Sequence, residues 1–127
     1  MKKYKLGVSF SDKRGKIVDL LEKEKIEAVT YITFTKGAVR GNHYHKKTIQ
    51  WCYVISGKIL VRTKKPKGVV RDHTFKTGDF FVDEPLERHA FLALEDSEIM
   101  VFTRGPRGGK EYETDTFRDE VPLIDPK

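Results

Sequence analysis

The chain has 127 residues, 38% of them hydrophobic, with a single cysteine and a formal net charge of +6. That length suits one domain, which can bury roughly two-thirds of its unfolded surface without disulfides or a structural metal. Cys52 alone excludes an internal disulfide or a Cys-rich zinc site, and no apolar run approaches the ~18–20 residues of a membrane span.

The basic start Met1-Lys2-Lys3-Tyr4-Lys5 is followed by no continuous apolar core of a secretory signal, so the expected location is the cytoplasm. Positive residues are interleaved with acids, as in Glu22-Lys23-Glu24-Lys25, and form only two short groups: Lys64, Lys65 and Lys67, then Arg104, Arg107 and Lys110. This is a solvated, charged surface with a shallow positive field, suited to small anionic metabolites. No aromatic–basic platform accompanies the charge, so neither nucleic acid nor membrane is an expected partner.

In chain order, Ile17 to Lys25 has a helical turn's spacing but is short and follows Gly15, so it reads as a strand edge or single turn. Ala28–Thr35 is rich in β-branched and aromatic residues and ends at Lys36-Gly37. Trp51–Ile55 runs through Ser56-Gly57 into Lys58–Thr63, which predicts a β-hairpin. Val69–Phe75, closed by Thr77-Gly78-Asp79, is a further strand, and Phe80–Val82, Ala90–Leu94 and Ile99–Phe102 complete the set. Short strands with turn signals every 8–12 residues or so predict an all-β sandwich or barrel. Phe34, Trp51, Val54, Phe81 and Phe91 are its expected inner face. From Arg104 onward, Gly, Pro and charge predict an irregular arm. Gly105–Glu111 superficially resembles a phosphate loop, but it lacks the Ser/Thr and the following helix, and is rejected. Cys52 reads as a small buried residue, and His73, apart from the other histidines, as structural or exposed.

His43-Tyr44-His45 carries the chemistry. In a strand, residues i and i+2 leave the same face, so two imidazoles converge while Tyr44 points away into packing. Neutral imidazole is a good metal ligand and titrates near neutrality, so the pair suits an ion or acid–base work. Gln50 falls on the opposite face by simple alternation, so Lys46-Lys47-Thr48 must turn to bring it back.

The spacing Gly37-x5-His43-x-His45-x4-Gln50-x6-Gly57, followed by Gly78-x6-Pro85-x3-His89, resembles the two motifs of the cupin superfamily. The Pro-to-His interval is one residue shorter than usual, and Gln50 stands where the family commonly has an acid. The resemblance covers residues 37–93. It implies a single cupin domain over 1–127, a β-barrel or jelly roll (double-stranded β-helix). The core would span about 26–103, flanked by N-terminal strands and a C-terminal arm. It also implies a divalent metal held by His43, His45, Gln50 and His89, with Zn, Fe, Mn, Ni and Co all compatible. More narrowly, Arg40-Gly41-Asn42-His43-Tyr44-His45-Lys46 with Gln50 is similar to a segment of cupin sugar-nucleotide 3,4-ketoisomerases, which act without a metal. Glu111–Arg118 resembles the end of those chains. The Arg40–His45 stretch also resembles the zinc-bearing C-terminal cupin domain of capsular-polysaccharide enzymes.

The expected activity is therefore isomerisation or epimerisation of a keto-sugar nucleotide, with His43 and His45 catalytic and Arg40, Lys46 and Tyr53 binding substrate. A histidine that is a full ligand is not a free base, so the metal-bound and metal-free versions exclude each other. Two alternatives stay open: a metal-dependent cupin with dioxygenase-like chemistry, and a non-catalytic sugar- or metal-binding cupin. A homodimer through the N-terminal strand or the tail is expected.

Overall fold

The computed structural model describes residues 1–126. The strands run β1 (Lys2–Tyr4), β2 (Phe10–Asp12), β3 (Gly15–Ile17), β4 (Ala28–Phe34), β5 (Val39–Tyr44) and β6 (Ile49–Ser56). They continue with β7 (Lys58–Lys64), β8 (Val70–Lys76), β9 (Phe80–Asp83), β10 (Arg88–Ala93) and β11 (Ser97–Arg104). A 3₁₀ helix (Gly109–Asp115) and β12 (Phe117–Arg118) close the chain. Among the described residues no helix is long and apolar enough to cross a membrane.

Two five-stranded antiparallel sheets face each other, ordered β1-β9-β6-β11-β4 and β12-β5-β10-β7-β8, with β2–β3 a separate pair. The chain changes sheet between β4, β5, β6 and β7 in turn, and again around β9, β10 and β11, which is a jelly roll. The predicted hairpin between β6 and β7 is therefore corrected. These neighbours pair with β9 and β11, and with β8 and β10, respectively. Gly57 (φ +95°) is a corner between sheets, pressed so closely on the β11 start that a Cβ would lie 2.5 Å from the Asp96 carbonyl oxygen. A corner and a hairpin both demand glycine, so the sequence signal is the same for either.

The barrel core is built from inward residues of both sheets, including Phe34, Val54, Phe81 and Phe91 as expected. Phe75 and Phe81 stack across it with centroids 4.1 Å apart. Trp51 is the exception: it packs with Phe80 and Val82 on the outer face of the β6-containing sheet. The N-terminal segment covers that face with Tyr4, Leu6, Leu20, Leu21 and Ile26. This accounts for the apolar spacing after Ile17, a run that packs on the sheet without forming a helix. β1 pairs with β9 of the same chain, and the C-terminal segment adds β12 beside β5.

Candidate active site

The site begins with a bulge. β5 and β10 pair His43 with His89 and Gly41 with Ala90, leaving Asn42 as the extra residue. Gly41 (φ +92°) and Asn42 (φ +59°) both adopt left-handed backbone, which re-aims the strand that follows. A Cβ on Gly41 would stand 2.9 Å from the His89 carbonyl oxygen, so glycine is what lets the two strands meet here. The Asn42 amide donates to the Ile124 carbonyl (2.9 Å) and its oxygen accepts from the Ile124 N–H (3.1 Å), pinning the tail outside.

Beyond the bulge His43 and His45 turn inward beside His89. Their rings are 4.9 Å (43–45), 4.7 Å (43–89) and 5.4 Å (45–89) apart by centroid, and their ligand nitrogens lie within 4.8 Å of one another. His45 and His89 are buried, and His43 opens on the cavity. The Asp115 carbonyl accepts from His45 Nδ1 (2.7 Å), and the Glu87 carbonyl from His89 Nδ1 (3.3 Å). A carbonyl only accepts, so each Nδ1 carries the proton and each Nε2 presents a lone pair. His45 Nε2 is buried with no partner among the described residues.

Burial pushes the His43 pKa down to about 4, helped by His45, Arg118 and Arg107. Burial first, then His43 and His45, hold His89 well below its usual value. Both rings are thus neutral at pH 7, the form that binds a metal. Gln50 meets the condition set for it: the chain crosses between sheets after His45, so Gln50 enters from β6 on the facing sheet and lines the same cavity. Its amide donates to Thr103 Oγ1 at 3.4 Å, leaving the carbonyl oxygen as a neutral ligand atom. Three imidazoles with an orphaned buried nitrogen, plus one amide oxygen, fit a divalent transition ion.

The cavity is about 410 Å³. His43, His89, Gln50 and Cys52 line it with apolar walls from Phe34, Val101 and Phe91, alongside Arg40, Arg107, Tyr112 and Arg118. Cys52 is 1% exposed, as expected of a small buried strand residue, and burial pushes its thiol up, with Asp83 adding to the effect. Among the expected substrate-binding residues only Arg40 lines the cavity, its guanidinium 5.2 Å over Phe34 and donating to the Thr33 carbonyl. Lys46 and Tyr53 do not line this cavity. Lys46 follows the inward His45 and turns out, with Nζ 4.4 Å over the Phe117 ring. Tyr53 alternates with inward Cys52 and Val54 and so joins the outer-face cluster. His73 is half-buried beside Phe75 and is not part of the three-histidine cluster.

The sequence reading missed what the tail supplies. The expected irregular arm instead folds back over the site. Tyr112 stands edge-on to His43 and His45, with centroids 6.3 and 6.1 Å away, and Arg107 lies 4.6 Å over its other side. The resemblance of Glu111–Arg118 to ketoisomerase chain ends was the one signal for this.

The family model described as "Polysaccharide biosynthesis C-terminal domain" matches residues 10–102. No curated protein matches the sequence. Among solved structures, a sugar 3,4-ketoisomerase from Thermoanaerobacterium thermosaccharolyticum in complex with TDP is 24% identical, with a TM-score of 0.72. The match covers 93% of this chain and 85% of that one. A dTDP-4-dehydrorhamnose 3,5-epimerase from Sulfolobus tokodaii is 22% identical over 90% of this chain and 72% of its own, with a TM-score of 0.69. The capsular polysaccharide assembling protein CapF of Staphylococcus aureus is 18% identical, with a TM-score of 0.64. That match covers 93% of this chain, which corresponds to only 35% of that one. These likenesses bear out the cupin fold, and the family match over most of the chain places the protein in the polysaccharide biosynthesis C-terminal domain family.

Proposed function

We propose that the protein is a sugar-nucleotide isomerase or epimerase whose site holds a divalent transition metal on His43, His45, Gln50 and His89. The observation that carries the proposal is the convergence of three imidazoles, two with Nδ1 committed to carbonyls, in a cavity with three arginines. Similarity to a ketoisomerase crystallised with TDP and to a dTDP-sugar epimerase supports the substrate class.

When bound, such an ion supplies Lewis-acid polarisation of a sugar carbonyl, which acidifies the adjacent C–H. The chain's own groups do the rest. Arg107, Arg118 and Arg40 supply positive charge that suits a diphosphate, Arg118 while paired with Glu113. Phe34, Val101 and Phe91 keep water from the sugar face. With His43 and His45 as ligands, the proton moves on another group. Apart from the arginines and histidines, the titratable groups lining the cavity are the Tyr112 hydroxyl and the Cys52 thiol, which burial keeps protonated. Tyr112, edge-on to His43 and His45, is accordingly the proton carrier, taking the C–H proton as the phenolate and returning it to the sugar as the phenol. The metal-free alternative makes His43 the base. Its pKa near 4 makes it a weak base at neutral pH, and this favours the metal form.

Elemental analysis of the purified protein, alongside a His43→Ala/His45→Ala variant, tests the site. Close to one metal per chain, lost in the variant, is the expected result. A metal-free protein that resists reloading overturns the metal form. Deuterium wash-in from solvent at a sugar carbon tests the reaction. Oxygen uptake without wash-in would instead establish the dioxygenase alternative, and tight binding without turnover the binding module.

A further inference from the structure

We infer that Asp115 is a positioning residue that sets which nitrogen His45 presents to the cavity. Its carboxylate collects four hydrogen bonds from one short segment. The donors are the backbone N–H groups of Lys46 (3.0 Å), Lys47 (2.9 Å) and Thr48 (2.7 Å), and Thr48 Oγ1 (2.7 Å). Three successive amides aimed at one anion form a nest, and these bonds draw the carboxyl down to about 2 against the opposing effect of burial. The same residue's carbonyl accepts the proton of His45 Nδ1 at 2.7 Å. One residue of the tail thus makes five contacts with the four residues that link β5 to β6.

That link is the sheet-to-sheet crossing. It has His45 at its entrance and leads directly to Gln50. If the crossing shifts, both side chains shift with it. With Nδ1 held as the donor, Nε2 is left bare and buried, in a cluster of three imidazoles whose ligand nitrogens lie within 4.8 Å of one another. Without the clamp, nothing among the described residues favours one neutral tautomer of His45 over the other. Gly105 (φ +134°) makes the docking feasible, since a Cβ there would stand 2.5 Å from Thr48 Oγ1. Asp115 lies seventy positions after His45, so the tail completes the site instead of merely covering it. The inference rests on the proposed function for the use made of Nε2, and not for the clamp itself.

The test is two-bond ¹H–¹⁵N correlation of the imidazoles in metal-stripped protein at neutral pH, with Zn²⁺ titration in parallel. Wild-type His45 is expected as a single Nδ1–H tautomer. Asp115→Asn turns one carboxylate oxygen into an NH₂ group, which opposes the Lys46 N–H or, in the other orientation, the Lys47 and Thr48 donors, and removes the negative charge that all four donors face. It should give both tautomers and weaken Zn²⁺ binding by about 10–100-fold, the usual effect of losing a group that orients a ligand. Ile59→Val, a core change far from the crossing, lowers stability but should leave the tautomer single, which separates positioning from a general loss of stability. Should Asp115→Asn fail to fold, Thr48→Val removes one of the four bonds and should move the tautomer in the same direction. A single Nδ1–H tautomer with unaltered Zn²⁺ affinity in whichever variant folds overturns the inference. A shifted tautomer in a protein that turns over no nucleotide sugar leaves the clamp standing and removes the isomerase reading.

Discussion

Replacing Gly41 with alanine should damage the site from beneath. Two costs add. Alanine at φ +92° is strained by about 1–3 kcal/mol. Its Cβ would also press to 2.9 Å on the His89 carbonyl oxygen and 3.3 Å on Ala90 Cα, both backbone atoms held in the β10 ladder. Relief requires β5 and β10 to part, at an overpacking cost of about 1–3 kcal/mol. Together these predict a destabilisation of about 2–6 kcal/mol and a melting temperature lower by roughly 8–24 °C for a domain of this size. Urea unfolding followed by the fluorescence of Trp51, the sole and buried tryptophan, measures it. Because His43 and His89 are cross-strand partners at the bulge, divalent-metal affinity should fall as well. A Gly41→Ala protein as stable as wild type, with unchanged metal affinity, would refute the claim that this close approach builds the site.

Gly57→Ala should be worse, since the new Cβ would lie 2.5 Å from the Asp96 carbonyl oxygen and 2.7 Å from Ser97 Cα; soluble yield and circular dichroism report the loss of fold. Arg107→Ala and Arg118→Ala should each weaken binding of a nucleoside diphosphate by on the order of tenfold, while Lys46→Ala, whose side chain lies outside the cavity, leaves it unchanged; calorimetric titration distinguishes them. Asp83 is buried and pushed up to about 8, chiefly by burial and then by Glu87, with the Met1 ammonium opposing and the Cys52 sulfur 4.0 Å away. The folded state thus holds a proton that the unfolded state releases near pH 4, and stability attributable to Asp83 falls as pH rises towards 8. Between pH 7 and 8 Asp83 should lower wild-type stability by about 1 kcal/mol, a loss absent from Asp83→Asn. Equal slopes in the two proteins would show that Asp83 is ionised in the fold.

The barrel was legible because its strands alternate. The inward residues of β4, β7 and β11 are read directly from period two, and the spacing from His43 to His89 marks the site. The misses have separate physical causes. Trp51 and Tyr53 sit on a sheet covered on both faces, where alternation distinguishes two sides but not which is the barrel interior. Gly57 demands the same backbone whether the chain makes a hairpin or a corner. The tail was misread because its 3₁₀ helix, Gly109–Asp115, is polar and carries no apolar period. Its key residue, Asp115, binds main-chain N–H groups, which have no signature in sequence.

The frame of the site is therefore held mainly by backbone: a bulge at Gly41-Asn42, a corner at Gly57 and a nest of amides closed on Asp115. The cavity walls differ in kind. Ile32, Val39 and Val101 present only shape, and volume-conserving exchanges there usually cost less than about 1.5 kcal/mol. Substitution at the frame moves the three histidines and Gln50 together, whereas substitution at the walls or among the arginines changes what fits against side chains that stay in place. A barrel built this way can alter its substrate without losing its three histidines. Its specificity should accordingly be sought in the tail and the walls, and its chemistry in the histidines with Gln50.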